Sequence, residues 1–266
     1  MPLDATAQIY PWQQQVWDTL TGRFPQLGHG LLFYGKKGCG KEAFTQQFLA
    51  WVLCQNRHMR NLPCGECGSC QWLKADTHPN YVYISTDEEN KKQNAKIKIE
   101  KIRDLLPFVQ QTVDGWRVIV IEPAEALNIA SSNALLKTLE EPGENIVIIL
   151  LADHYLKLPA TIRSRLQHFA LDRITSDQAT NYLNEYLPDA GSSQQQLLMN
   201  LANQMPLQAI EVAQSAWMPM RQDFLQDWKK LVIEKNMPIA IATRWNKSLN
   251  FSDFGQMFEY LLSDLI

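Results

Sequence analysis

The chain has 266 residues, 45% hydrophobic and 20% charged, with a formal net charge of −3. This length predicts roughly two domains, and the balance of residues predicts packed cores instead of a disordered chain. The charge excludes a polycation that coats nucleic acid over its whole surface, so any such contact is local or shared with partners. No apolar run approaches the ~20 residues that span a bilayer. No secretory leader is expected, because Asp4, Gln8 and Gln13–Gln15 interrupt the start. A cytoplasmic protein is the expectation.

Residues 1–28 read as an entry segment. Tyr10-Pro11-Trp12 precedes a short amphipathic helix carrying Val16, Trp17 and Leu20, and Pro11 suits a first helical turn. Gly28 and Gly30 flank His29, read as an ordinary loop histidine. Leu31-Leu32-Phe33-Tyr34 then ends at Gly35, followed by Lys36-Lys37-Gly38-Cys39-Gly40-Lys41. An apolar strand running into glycines, a lysine and a helix is the pattern of a phosphate-binding loop. Glycines let backbone N–H groups curl around phosphate, the helix N-terminus adds positive potential, and the lysine reaches the outer phosphates. Gly35, Gly38, Gly40 and Lys41 are the candidate nucleotide-binding residues. The next position should hold Ser or Thr to ligate magnesium, but here it is Glu42. A carboxylate there opposes polyphosphate, so the loop is read as degenerate and ATP binding is in question.

Lys41 to Cys54 follows as a helix with Phe44, Phe48, Val52 and Leu53 at helical spacing. Cys54, Cys64, Cys67 and Cys70 come next, the last three in Pro63-Cys64-Gly65-Glu66-Cys67-Gly68-Ser69-Cys70. In a reducing cytosol this spacing favours a metal over disulfides. Two C-x2-C steps that share a cysteine suit a tetrahedral S4 shell, with zinc as the metal. A closed S4 shell leaves no position for water, so the zinc is expected to be structural.

His78-Pro79 is read as a turn into a buried strand at Tyr81-Val82-Tyr83-Ile84. Asp87 to Lys98, with Lys91, Lys92, Lys96 and Lys98, is read as a mobile, solvated loop, with a weak contribution to a DNA-facing surface as the alternative. Ile99, Ile102, Leu105, Leu106 and Val109 mark one amphipathic helix. Val118 to Ile121 is an apolar strand ending in Glu122-Pro123. P-loop ATPases carry there an acid for the metal and a second residue that positions the attacking water. Glu122 could still polarise a metal, whereas Pro123 cannot act as a base. Asn133 to Pro142 (NALLKTLEEP) is a helix stopped by proline, and Ile146 to Leu151 is a further buried strand. After it, Asp153 stands where related ATPases place a γ-phosphate sensor. Ile162-Arg163-Ser164-Arg165-Leu166 leads to a final strand around His168-Phe169.

From about Asp172 the pattern turns helical. Ser176 and Asp177 are candidate N-caps for a helix with Ala179, Tyr182, Leu183 and Tyr186. Gly191-Ser192-Ser193 is a linker or turn, and Met205-Pro206-Leu207 breaks the stripe of Leu197, Leu198 and Leu201. Trp217, Met218, Trp228 and Trp245 are read as core or interface. The chain closes on the apolar run Phe254, Met257, Phe258, Leu261, Leu262 and Leu265.

Taken together, Tyr10-Pro11-Trp12, the cysteine module directly after the P-loop helix, His78-Pro79, NALLKTLEEP and Ile162-Arg163-Ser164-Arg165 resemble the AAA+ clamp-loader family of bacterial DNA polymerase III. The resemblance covers about residues 8–215 well and the tail loosely. It implies an α/β fold, an AAA+ P-loop parallel-sheet domain over 1–170 with an inserted zinc module at 54–70. A helical lid over 171–208 and a helical collar over 209–266, short for a complete one, are implied to follow. It also implies a hetero-pentameric ring of ATPase subunits and a delta subunit that opens a sliding clamp and places it on primer-template DNA. Within the ring, the chain resembles the rigid, non-hydrolysing member. Ser164 and Arg165 match the family motif that carries an arginine finger into a neighbour's ATP site, with Leu166 where cysteine is common. No ATPase or polymerase activity is then expected of the isolated chain, although it is part of a polymerase holoenzyme. An active motor subunit of the same ring, or a zinc-stabilised scaffold without an ATP-linked role, are the competing readings.

Overall fold

The computed structural model describes residues 8–86, 95–111, 113–233 and 238–263. Two compact units divide between Thr175 and Ser176. The first is an α/β unit. Its strands are β1 (Gly30–Tyr34), β2 (Tyr81–Ile84), β3 (Arg117–Ile121), β4 (Ile146–Ala152) and β5 (Gln167–Ala170). They form one sheet in the order β2-β3-β4-β1-β5, and every pairing is parallel. Central β1, β4 and, after Arg117, β3 are the apolar runs of the sequence, as a sheet covered on both faces requires.

Helices α1 (Gln14–Arg23), α2 (Lys41–Leu53), α3 (Gly68–Lys74), α4 (Ile99–Arg103), α5 (Leu105–Gln110), α6 (Ile129–Glu140) and α7 (Ala160–Arg163) complete the unit. Alternation along β1 sends neighbouring side chains to opposite faces. Leu32 joins a core with Ile102, Leu105, Leu135 and Leu139, from α4, α5 and α6. Phe33 instead packs edge-on against Phe44 and Phe48 of α2, at 5.4 and 5.8 Å between ring centroids. Trp17 of α1 meets the same two rings from the other side.

Three expectations are corrected. β2 is a half-buried edge strand, not a buried one, since only Ile84 is fully enclosed. The stretch from Ile99 to Val109 is two short helices that break at Asp104, leaving Leu106 exposed. Pro107 lacks the N–H that would continue a helix from Arg103, which accounts for the break. In the lysine-rich loop Lys96 and Lys98 are exposed as expected, but the chain is anchored between them. Ile97 is buried and its N–H donates to the Ala126 carbonyl at 2.8 Å. Lys91 and Lys92 lie outside the described residues.

The second unit is helical: α8 (Ser176–Tyr186), α9 (Ser192–Leu201), α10 (Pro206–Gln214), α11 (Arg221–Ile233), α12 (Pro238–Ser248) and α13 (Phe251–Ser263). Gly191 is the N-cap of α9, so Ser192 and Ser193 belong to a first turn and not to a linker. Trp217 and Trp245 are core residues, and Trp228 and Met218 are half-buried. Asp227 is buried and accepts from the Trp245 indole at 3.0 Å, with the Arg244 guanidinium at 3.2 Å. Its charge is therefore paired and hydrogen-bonded, as burial demands.

Candidate functional site

The P-loop joins the C-terminal end of β1 to the first turn of α2, where the dipole and unpaired N–H groups of a helix favour an anion. Gly40 adopts φ +85° and lies against the Tyr10 ring, so a side chain there would meet both strain and a clash. The entry segment holds the loop from outside. Trp12 Nε1 and Gln13 Nε2 both donate to the Cys39 carbonyl at 2.9 Å, and Tyr10 stacks on Trp12 at 5.0 Å. The Lys36 amide donates to Asp172 at 3.2 Å. Cys39 is enclosed, and burial pushes its thiol up to about 11.

Lys41 is buried and paired within its own chain. Its side chain is 7% exposed and its ammonium is bonded to the carboxylate of Asp153. Burial alone would pull Lys41 down, but the bond and charge of Asp153, aided by Cys39 and Glu42, leave it above its ordinary value. Asp153, which stands where related ATPases place a γ-phosphate sensor, is thus the partner of the P-loop lysine. Glu42 is exposed in the first turn of α2, and Pro123 is exposed just beyond β3.

Glu122 sits between these groups. Burial, and then the Glu42 charge, push its carboxyl up to about 7, against a hydrogen bond donated by Tyr83 at 3.0 Å. A carboxyl raised in the folded state holds its proton while the unfolded chain releases it. Stability therefore falls as pH rises from the unfolded value, 4.5, to about 7, and stays lower above that. Glu122→Gln removes the effect. Its stability gain over the parent is expected to be small at pH 5 and to reach at most about 3 kcal/mol at pH 8. Urea denaturation at the two pH values measures it, and a gain independent of pH would contradict the assignment.

The four cysteines converge where α2 ends and α3 begins. Cys54 follows α2, Cys67 precedes α3 and Cys70 lies inside it. Their sulfurs lie within 4.8 Å of one another, with Cys54–Cys67 and Cys64–Cys70 both at 4.0 Å. A tetrahedron with Zn–S bonds near 2.3 Å has S–S edges of about 3.8 Å, so this donor set fits that ion. Gly65 has φ +75°, a turn that a side chain would strain, and the Lys74 ammonium donates to its carbonyl at 2.8 Å. Amides of Glu66 and Cys67 pull Cys64 down to about 6, whereas burial pushes Cys54 up. His78 is no ligand and more than a turn residue. Its Nδ1 accepts from the Asn80 amide at 3.0 Å and its Nε2 meets Ser69 Oγ at 2.8 Å, with Ser69 donating to the Leu53 carbonyl. It thereby ties α3 to the end of α2 and to the entry of β2.

Arg165 lies in the short connection between α7 and β5. Its Nε donates to Glu140 Oε1 at 2.8 Å, its Nη2 pairs with the same oxygen at 2.6 Å, and its Nη1 donates to the Thr161 carbonyl at 2.8 Å. Arginine and glutamate are 36% and 52% exposed. An exposed pair of this kind contributes about 0–1 kcal/mol, so the guanidinium can be released to a stronger partner. Ser164 Oγ donates to the Thr161 carbonyl. His29 Nε2 lies 2.5 Å from the Leu139 carbonyl, on the same helix as Glu140.

A family model for "DNA polymerase III, delta subunit" matches residues 12–175. The delta' subunit of DNA polymerase III from Pseudomonas aeruginosa is 36% identical, over 90% of this chain and 72% of that protein. The delta' subunit from Haemophilus influenzae is 32% identical over the same shares. The chain belongs to the DNA polymerase III delta' family. The tau subunit from Bacillus subtilis is 33% identical but covers only 65% of this chain and 30% of its own length. The delta' likeness thus extends into the second unit. The strand-to-helix P-loop on a parallel sheet is the architecture that the AAA+ clamp-loader resemblance implied. Sequence reading missed the partners in the delta' site: Asp153 on Lys41, Glu140 on Arg165, and Trp12 and Gln13 on the loop carbonyl. None of these pairs has a spacing signal, because each joins elements that only the fold brings together. Among the described residues no helix is long and apolar enough to cross a membrane.

Proposed function

We propose that this chain is the non-hydrolysing subunit of the DNA polymerase III clamp loader, which helps place a sliding clamp on primed DNA and donates Arg165 to the ATP site of a neighbouring subunit. The observation that carries the reading is the ion pair of Lys41 with Asp153, which sets the P-loop lysine against a carboxylate of its own chain. Glu42 in place of a hydroxyl and Pro123 in place of an acid support it. A guanidinium donated across an interface needs no working nucleotide site in its own chain. Cys54, Cys64, Cys67 and Cys70 hold a structural zinc that braces the segment between α2 and β2. The partners are sibling ATPase subunits and a delta subunit in a five-membered ring, the clamp, and primer-template DNA reached through the complex.

The test is clamp loading on a primed circular template by reconstituted mixtures with and without this chain. Loading that depends on the chain supports the reading. Equal loading in its absence would refute it.

A further inference from the structure

The start of β1 meets the end of α6 and the turn that carries Arg165. We infer that His29 is a positioning residue for the arginine finger: it fixes the last turn of α6, and that turn, together with Gly30, sets the backbone of Arg165. This inference rests on the arginine-donor reading proposed above.

His29 is itself held in place. Its carbonyl accepts from the Ile148 amide of β4 at 2.7 Å, so the ring is delivered from the entry of a central strand. The residue is half-buried, and its Nε2 lies 2.5 Å from the Leu139 carbonyl. A carbonyl only accepts, so Nε2 carries the proton and donates it. The last four carbonyls of a helix have no partner within it, and Leu139 is the penultimate residue of α6. The imidazole therefore caps that helix from 110 residues away along the chain.

The contact reaches Arg165 through packing. Leu31 pairs with Gln167, so Gly30 stands beside the turn before β5. A Cβ on Gly30 would lie 3.1 Å from the Arg165 carbonyl oxygen, 2.9 Å from the Leu166 side chain and 3.4 Å from that of Leu139. The two leucines thus close on the same spot, and both are buried in one core. A glycine is what lets β1 approach the Arg165 backbone this closely. The guanidinium, by contrast, is held through the exposed Glu140, a weak tie. Its tip can swing, whereas its backbone anchor is set by Leu139, Leu166 and Gly30. Loss of the His29 bond leaves the Leu139 carbonyl without that donor and lets the last turn of α6 fray, which shifts the anchor. A displacement of about 1 Å costs up to about a hundredfold in rate where a group must meet a transition state. A finger that acts on transition-state charge affects kcat and leaves KM unchanged.

The experiment is pre-steady-state ATP hydrolysis by the assembled ring over a range of ATP concentrations. His29→Ala is expected to slow the step about 10- to 100-fold without changing the half-saturating ATP concentration. His29→Gln, whose amide nitrogen can take the place of Nε2, is expected to recover most of the rate. In rings that also carry Arg165→Ala, His29→Ala is expected to have no further effect. Gly30→Ala keeps the imidazole but presses on Arg165 and Leu166, so it is expected to slow the same step, and it decides the matter should His29→Ala rings not assemble. Slow Arg165→Ala rings beside His29→Ala or Gly30→Ala rings as fast as the parent would overturn this inference and leave the arginine-donor reading intact. A His29→Ala loss of undiminished size in the Arg165→Ala background would overturn it as well, because the residue would then act elsewhere. Arg165→Ala rings as fast as the parent would remove the arginine donor, and this inference with it.

Discussion

Stripping the metal from the four-cysteine cluster, or replacing Cys67 by Ser, is expected to unfold the segment from Cys54 to Lys74 while the sheet persists. The cluster draws Cys54, Cys64, Cys67 and Cys70 to one point, and the bonds of Trp17, Trp51, Ser69 and His78 and the buried Leu73 are smaller ties beside it. Gly65, Gly68 and the exposed Leu62 supply little core, and α3 is only seven residues long. A helix that short is marginal by itself. Zinc–thiolate binding contributes about 10–16 kcal/mol in small sites, and that energy is folding energy where the apo site is not held otherwise. β1, β3 and β4 draw instead on a contiguous apolar core remote from the cysteines. Hydrogen exchange would show the contrast. The amides of Gly68–Lys74 should lose protection on chelation, while those of β3 and β4 keep it. Metal analysis should give one zinc per folded chain. A chain that purifies without metal and unfolds identically with and without chelator would contradict the assignment.

Arg165→Ala is expected to slow ATP hydrolysis at the neighbouring site of the assembled ring by about 10³–10⁵ in single-turnover measurement, the range found for arginine fingers. Arg165→Lys should restore little, because an ammonium cannot reproduce the planar fork of the guanidinium. The pairing with Glu140 makes a third variant informative. Glu140→Ala frees the guanidinium from an exposed partner, so it should leave the rate unchanged or slightly raised. A structural role for the Arg165–Glu140 pair would instead make both alanine variants fail together. Equal rates for Arg165→Ala and the parent, in rings shown to assemble, would remove the finger.

Much of the fold was legible because its signals are local. β1, β4 and β3 from Val118 onward are apolar runs, and Pro206 sits where α10 begins. The four cysteines were legible because ligand spacing is itself local, and the structure brings all four sulfurs together. The misreadings share a cause. Burial at β2 depends on its place at the sheet edge, which four residues of sequence do not encode. Ile97 is a lone apolar residue among lysines, and its partner, Ala126, lies in a distant turn. The pairs Lys41–Asp153 and Arg165–Glu140 span long stretches of chain. They join elements that the order of β4, β1 and β5 brings together. Asp153 follows β4 directly, which brings its carboxylate to the P-loop at the end of β1.

The most direct test of the central claim, that the chain runs no nucleotide chemistry of its own, is ATP turnover by the isolated chain beside its Lys41→Ala variant. With Asp153 on the lysine and no acid at Pro123, turnover at the level of a no-protein blank is predicted for both. Hydrolysis by the parent chain that disappears in Lys41→Ala would mean that ATP displaces Asp153 and that the protein is a motor.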